Sequence, residues 1–144
     1  MKVELILQRK GNDVISLRPE DTVQTAAAIL STNKIGALPV KNGSEELVGI
    51  LSERDIVKGL YKSGAGCINL LVSDLMTTKV ATCTVSDKVK DVQQVMHNGR
   101  FRHVPVIKDG KLYGVVSQGD VMHVCIEQAQ TEASVMRELA IARG

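Results

Sequence analysis

The sequence predicts an α/β (α+β) chain built from two copies of one β-α-β-β-α unit. Three observations carry this. Residues 14–40 align with residues 80–106 at a constant shift of 66, and an internal repeat outranks any local signal. Each copy holds a helix-period apolar stretch, VQTAAAILSTN and VKDVQQVMHNG. Each then holds two short apolar runs around a turn dipeptide, Asn42-Gly43 or Asp109-Gly110, which signals a β-hairpin.

The alignment is residue by residue. Asp21 falls on Asp87, Val23 on Val89, Pro39 on Pro105 and Val40 on Val106. One residue is dropped in the turn, where residues 41–47, KNGSEEL, face residues 107–112, IKDGKL, so beyond the turn the shift becomes 65. Gly49 then meets Gly114, Ser52 meets Ser117 and Asp55 meets Asp120. Each unit opens with an extended segment, VISL or VATCTV. An acid follows just ahead of the helix, Asp21 or Asp87, where negative charge suits a helix N-terminus. Val23, Ala26, Ala27 and Leu30 form the apolar face of the first helix, and Val89, Val92, Val95 and Met96 that of the second. The strands ALPV and HVPV pair with LVGIL and LYGVV, and a last helix starts at SERD or SQGD. The division is residues 3–60 for the first unit with its lead-in helix, 61–71 for a glycine-bearing linker, and 72–126 for the second unit. Residues 127–144 are a polar, helix-prone tail that extends the last helix.

Composition narrows the function. The 144 residues are 44% apolar and 24% charged, with a net charge of +2, a soluble balance that does not demand a polyanionic partner. With two Tyr, one Phe and no Trp, the core must be aliphatic, and a stacked-aromatic platform for single-stranded nucleic acid is missing. Nucleic-acid binding would rest only on the basic run Arg100–His103. No apolar run is long enough for a bilayer, and the opening MKVELILQRK does not read as a signal peptide. Cys67, Cys83 and Cys125 are scattered and odd in number, which suits reduced thiols of a cytoplasmic protein better than disulfides or a zinc site. No Ser/Cys–His–acid signature, metal-ligand spacing or phosphate-binding P-loop occurs, so the chain reads as non-catalytic, with no metal. His97 and His123 lack ligand partners and read as ordinary surface or interface residues.

The chemistry concentrates where the repeats coincide. Ser52-Glu53-Arg54-Asp55 and Ser117-Gln118-Gly119-Asp120 read in two ways. One is a capping box, with Ser accepting from the third residue's amide and Asp reaching back. The other is a ligand site on the same geometry, with a helix N-terminus for an anion and a carboxylate for ribose hydroxyls. Gly49 and Gly114 would let a base approach the strand backbone closely. Arg100-Phe101-Arg102-His103 reads either as a solvated strand start or as a phosphate clamp, since Arg offers a planar fork and His a donor. The first repeat has Lys34-Ile35-Gly36-Ala37 there instead.

Two copies of G-h-h-S-x-x-D (h, apolar), GILSERD and GVVSQGD, with the IGALPV and FRHVPV strands, resemble the CBS (cystathionine-β-synthase) domain pair, or Bateman module. VELILQRKG and DLMTTKV are similar to segments of small stand-alone bacterial members. The resemblance covers about residues 3–126. It implies two units packed about a pseudo-twofold axis, two equivalent clefts, and adenosine ligands in those clefts: AMP above all, with ADP, ATP, NAD(H) or S-adenosyl compounds as alternatives. It further implies ribose contacts at Asp55 and Asp120, with Ser52, Arg54, Ser117 and Gly119 on the same helix starts. Phosphate contacts fall to Arg102 and His103, mainly across the axis. Ile35 and Phe101 line the base pockets, and the backbone near Ile15 and Ala81 holds the adenine edge. Gly36, Ala37 and Thr77 complete the expected set. Also expected are a homodimer, formed through the helices after Asp55 and Asp120 and the Met-bearing tail, and an effector protein regulated in trans. A ligand-free dimerisation module is the competing expectation.

Overall fold

The computed structural model describes residues 1–143. The last residue of the expected helical tail, Gly144, lies outside them. The elements follow in the order α1 (Val3–Lys10), α2 (Val23–Asn33), β1 (Ala37–Lys41), β2 (Leu47–Ser52), α3 (Glu53–Ser63), a 3-10 segment (Gly64–Asn69), α4 (Val72–Leu75), α5 (Val89–Gly99), β3 (His103–Lys108), β4 (Lys111–Ser117) and α6 (Gln118–Arg143). The two β-α-β-β-α units are therefore present. The stretch expected as a linker is mostly ordered: α3 runs to Ser63 and the 3-10 segment continues to Asn69.

Each unit is a hairpin with single-residue additions at its edges. β1 pairs with β2, and β3 with β4, both antiparallel. The extended segments of the sequence touch these hairpins at one residue each, Leu17 beside Val40 and Cys83 beside Val106, both parallel. The Pro39 carbonyl accepts from the Leu17 amide at 2.9 Å, and the Pro105 carbonyl from the Cys83 amide at 3.0 Å. A proline has no amide to donate, but its carbonyl still serves the ladder.

The two turns differ. Asp109 and Gly110 both have positive φ, 53° and 75°, as a two-residue type I′ turn requires. Asn42-Gly43 is not such a turn. Asn42 Oδ1 accepts from the amides of Ser44 (2.9 Å) and Glu46 (3.0 Å), and the positive φ falls on Glu45. The extra residue of the first repeat is absorbed by this side-chain-closed loop.

Two cores form. Leu17, Ala26, Leu30, Leu38, Val40, Leu51 and Val72 build the first. Val3, Ile6, Leu7, Val89, Val92, Val104, Val116 and Val121 lead the second. Ala27 and Val95, expected on the buried helix faces, are exposed. The buried stripes are the narrower sets Val23/Ala26/Leu30 and Val89/Val92/Met96.

The lead-in helices are exchanged. α1 precedes the first unit in the chain, yet its Val3, Ile6 and Leu7 lie in the second core. α4 precedes the second unit, yet Val72 lies in the first core with Leu75 and Met76 against it. Matching hydrogen bonds anchor the two helix starts: Val3 N donates to Asp87 O at 2.9 Å, and Val72 N to Asp21 O at 2.7 Å. The Asp21 and Asp87 carboxylates were expected to face a helix N-terminus. They instead accept from the amides three residues earlier, Arg18 and Thr84, each at 2.8 Å. They thereby shape the turn whose carbonyl receives the other unit's helix.

Candidate functional site

Strand register brings the two repeats' short loops together. Ala37 pairs with Ser52, and His103 with Ser117, so each strand start lies beside the helix start of its own unit. Between the units opens a cleft of about 410 Å³. Ser52, Arg54 and Asp55 line it from the first helix start, with Gly36 and Ala37 from the strand beside it. Thr77 and Ala81 line it from the connecting segment, and Phe101, Arg102 and His103 from the second unit. These ten expected residues are gathered in one place. Ile50, Glu53, Lys58, Lys79, Val80, Gly99 and Arg100 also line it. Lys58 follows Asp55 by three residues on α3, a spacing that puts both on one helix face; Lys79 directly precedes the expected extended segment. Both signals were available in the sequence.

Ile35, Ile15, Ser117, Gly119 and Asp120 do not line this cleft. Ile35 packs against the first core, and Ile15 is exposed. Ser117, Gly119 and Asp120 stand at the other helix start. Gly49 and Gly114 do not offer open strand backbone. A Cβ on Gly49 would meet Met76 Sδ at 2.8 Å and the Thr77 carbonyl at 2.9 Å, and one on Gly114 would meet Leu7 Cδ2 at 2.9 Å. The exchanged lead-in segments fill the space read from the sequence as room for a base.

The capping box is made in both units. Ser52 N donates to Asp55 Oδ2 at 3.0 Å, and Asp55 N to Ser52 Oγ at 3.2 Å. In the second unit, Ser117 N donates to Asp120 Oδ2 at 2.8 Å, and Asp120 N to Ser117 Oγ at 3.1 Å. The cap uses one carboxylate oxygen. At Asp55 the other, Oδ1, receives only the Thr77 hydroxyl, at 3.3 Å. At Asp120 the Lys10 ammonium meets the same oxygen that closes the cap, Oδ2, at 2.7 Å.

The cleft is electropositive. Arg54, Lys58, Lys79, Arg100 and Arg102 line it against the carboxylates Glu53 and Asp55, and among the described residues none of these five cations forms a salt bridge. His103 is held below its ordinary value, first by burial, then by the positive charges of Lys10 and Arg102, with Asp120 opposing. Asp120 is held low by Lys10 and the Ser117 hydrogen bonds, which outweigh the burial that pushes it up. Phe101 is supported from behind by Gly99: a Cβ there would collide with the ring at 2.1 Å. Burial, with Asp87 adding, pushes the Cys83 thiol up to about 12, away from the thiolate form that a nucleophile uses. Among the described residues, no three His, Cys, Asp or Glu side chains gather as a metal site would need. No helix there is long and apolar enough to cross a membrane.

Comparisons with known proteins agree with this architecture. The CBS-domain profile matches residues 8–62 and 72–127. The mitochondrial CBS domain-containing protein CBSX3 of Arabidopsis thaliana is 36% identical over 117 residues, which cover 78% of this chain and 57% of that protein. The chain thus spans little more than half of that relative. The crystal structure of a CBS-domain-containing protein from Agrobacterium tumefaciens is 38% identical with a TM-score of 0.81, covering 86% of this chain and 98% of that one. The structure of CBSX2 in complex with AMP is 26% identical with a TM-score of 0.75, covering 89% and 98%. Both profile matches fall on the repeats found in the sequence, and the chain belongs to the CBS domain family as a tandem pair.

Proposed function

We propose that this pair is a ligand-responsive signalling module whose cleft takes an adenine nucleotide. AMP is the first choice, and ADP, ATP or NAD(H) share the same recognition chemistry. The observation that carries the reading is the meeting of Asp55, from the first unit, with Arg102 and His103, from the second, in one cleft. A carboxylate with a lightly engaged oxygen suits ribose hydroxyls. Unpaired guanidinium groups with the Ser52 helix start suit phosphate. Phe101, braced on Gly99, suits the base. The volume falls within the roughly 300–1,000 Å³ of small-molecule sites, and the AMP complex of CBSX2 supports the choice of nucleotide.

A ligand bridging both units would favour one relative packing over another. Signalling follows only if its affinity differs between those packings. The output would then reach an effector protein in trans, in the cytosol, from a homodimer built on α3 and α6.

Calorimetric titration of AMP and adenosine against the wild type and Arg102→Ala tests the reading. The variant should lose about tenfold or more in AMP affinity, since charge-assisted hydrogen bonds contribute about 1.5–3 kcal/mol each, and little for adenosine. Arg102→Lys should restore part of the loss. Equal losses for both ligands would point to a collapsed cleft. If neither AMP nor NAD(H) binds or raises the melting temperature, the ligand-free dimerisation module is the better reading.

A further inference from the structure

A second cavity lies away from the nucleotide cleft, between α5 and the start of α6. It measures about 290 Å³, more than the roughly 150 Å³ that holds a benzene ring in a protein interior. The buried side chains Met96 and Val121 give it an apolar floor, and the exposed Gln93, Gln94, His97 and Gln118 give it a polar rim. Two of the rim residues are half-engaged. Cys125 Sγ donates to Gln93 Oε1 at 3.4 Å, and Gln94 Nε2 to Asn98 Oδ1 at 2.9 Å. That leaves the Gln93 nitrogen and the Gln94 oxygen to serve another group.

The two units differ at this place. At the shift of 66, Gln93, Gln94 and His97 correspond to Ala27, Ala28 and Ser31 on α2. At the shift of 65, Tyr61 on α3 corresponds to Ile126 on α6. The first unit thus offers a ring with a hydroxyl and a pair of alanines, the second an aliphatic side chain and a pair of amides. Tyr61 is 90% exposed, the most of any large apolar side chain among the described residues. Val57 and Leu60, also exposed, share its helix face.

We propose that two copies of the chain pair head to tail, with Tyr61 of each copy seated in the α5/α6 cavity of the other. This rests on the homodimer reading above and fixes its arrangement. A twofold pair can set α3 on the other copy's α3 or on its α6. With α3 on α3, the Tyr61 hydroxyl meets Ala27, Ala28 and Ser31, while Ile126 dries the Gln93 and Gln94 amides without replacing their hydrogen bonds. With α3 on α6, the ring lies on Met96 and Val121, its hydroxyl among the amides and His97, and Ile126 lies on Ala27 and Ala28. A buried Tyr wants both an apolar seat and a partner for its hydroxyl, and the cavity has both. Charge agrees. Lys58 and Lys62 lie on either side of Tyr61 in α3, whereas α6 carries Glu127 and Glu132. Arg9 already holds Glu127, so Glu132 carries most of this contrast. Head-to-tail pairing brings unlike charges together, and the other arrangement brings like ones.

Cross-linking and sedimentation test the arrangement and the dimer separately. All cross-linked proteins carry Cys125→Ser, so that the remaining cysteines, Cys67 and Cys83, are buried. Chains with Tyr61→Cys and chains with His97→Cys are coexpressed with tags of different mass and treated with a short bis-maleimide. The expected product is a covalent dimer of one chain of each kind, with none from Tyr61→Cys alone. Cross-links between two Tyr61→Cys chains would show α3 on α3 and overturn the proposal while leaving the homodimer. A mixture that sediments as a dimer but does not cross-link would do the same. In sedimentation equilibrium, Tyr61→Ala should raise the dimer dissociation constant on the order of a thousandfold, because the loss of an aromatic anchor counts at two contacts. Tyr61→Phe should raise it about tenfold for the two hydroxyls. Tyr61 is exposed in the single chain, so neither variant should alter the monomer's own unfolding. An unchanged constant for Tyr61→Ala would overturn the proposal, and a wild type that sediments as a monomer would overturn the homodimer reading with it.

Discussion

At Asp55 one oxygen closes the helix cap and the other faces the Thr77 hydroxyl, so a single carboxylate can both hold a helix and receive a ligand. Substitution separates the two roles. Asp55→Ala removes the carboxylate half of the capping box, leaving Ser52 Oγ to accept from the residue 55 amide, and should cost about 1 kcal/mol in urea unfolding. Asp55→Asn keeps an acceptor for the Ser52 amide and should cost less, yet both should weaken AMP about tenfold, because the charge-assisted ribose bonds are lost. Wild-type affinity in Asp55→Asn would leave Asp55 as a cap alone. His103 gives a pH test. Burial and the charges of Lys10 and Arg102 lower its value despite Asp120. The folded protein therefore favours the neutral ring: this contribution to stability is complete above the ordinary value and is lost as pH falls through the depressed one. A bound phosphate would favour the charged ring, so AMP binding should take up protons near neutral pH. Calorimetry in buffers of different ionisation enthalpy should show less uptake for His103→Gln than for the wild type, and equal uptake would remove His103 from the phosphate end. The capping residues were legible because both their chemistry and their spacing are local. The Lys10–Asp120 contact joins residues 110 apart in sequence, and it depends on one extra helical turn that no motif marks.

Hairpins and helices were legible from apolar period and turn dipeptides, but the partner of each lead-in helix was not. An amphipathic stretch declares a face to bury and says nothing about which core receives it. Here two equivalent cores were on offer, and each lead-in took the one that is farther along or behind in the chain. The Asn-Gly dipeptide signalled the hairpin but not the form of its loop, because an Asn side chain can close a longer loop as well as start a short one. The exchange yields a prediction at Gly49 and Gly114. A methyl at Gly49 meets the Thr77 carbonyl, whose position is fixed by the Ile50 amide, and Met76 as well. The three atoms nearest a methyl at Gly114 all belong to the Leu7 side chain, which has rotamers to try. Overpacking costs typically about 1–3 kcal/mol, so Gly49→Ala should sit at the upper end and Gly114→Ala at the lower. Urea unfolding of the two variants should show that order, and the reverse order would mean that the Thr77 segment yields more easily than Leu7.

At the scale of the molecule, the described residues leave one set of helical apolar side chains without an internal partner. Val57 and Tyr61 on α3 and Met122 and Ile126 on α6 are all exposed, and at the shift of 65 Val57 corresponds to Met122 and Tyr61 to Ile126. The repeat therefore presents the same pair of apolar side chains twice, one helical turn apart on each helix. Farther along α6, Val135, Met136, Leu139 and Ile141 are exposed too. A surface of this kind on a two-repeat module fits a self-complementary partner, since closed twofold pairing is the commonest route to an oligomer. A stable interface of this type buries about 1,200–2,000 Å² in total, an extent that two helices and a long tail can supply. Sedimentation equilibrium should find a dimer at micromolar concentration. Met122→Glu/Ile126→Glu and Val57→Glu/Tyr61→Glu should each shift it to monomer, because a carboxylate brought into an apolar contact loses hydration without gaining a partner. These side chains are exposed within one chain, so the substitutions should leave the monomer's own unfolding nearly unchanged. That separates a lost interface from a damaged fold. A wild type that sediments as a monomer, or charged variants that remain dimeric, would rule out this face as the interface.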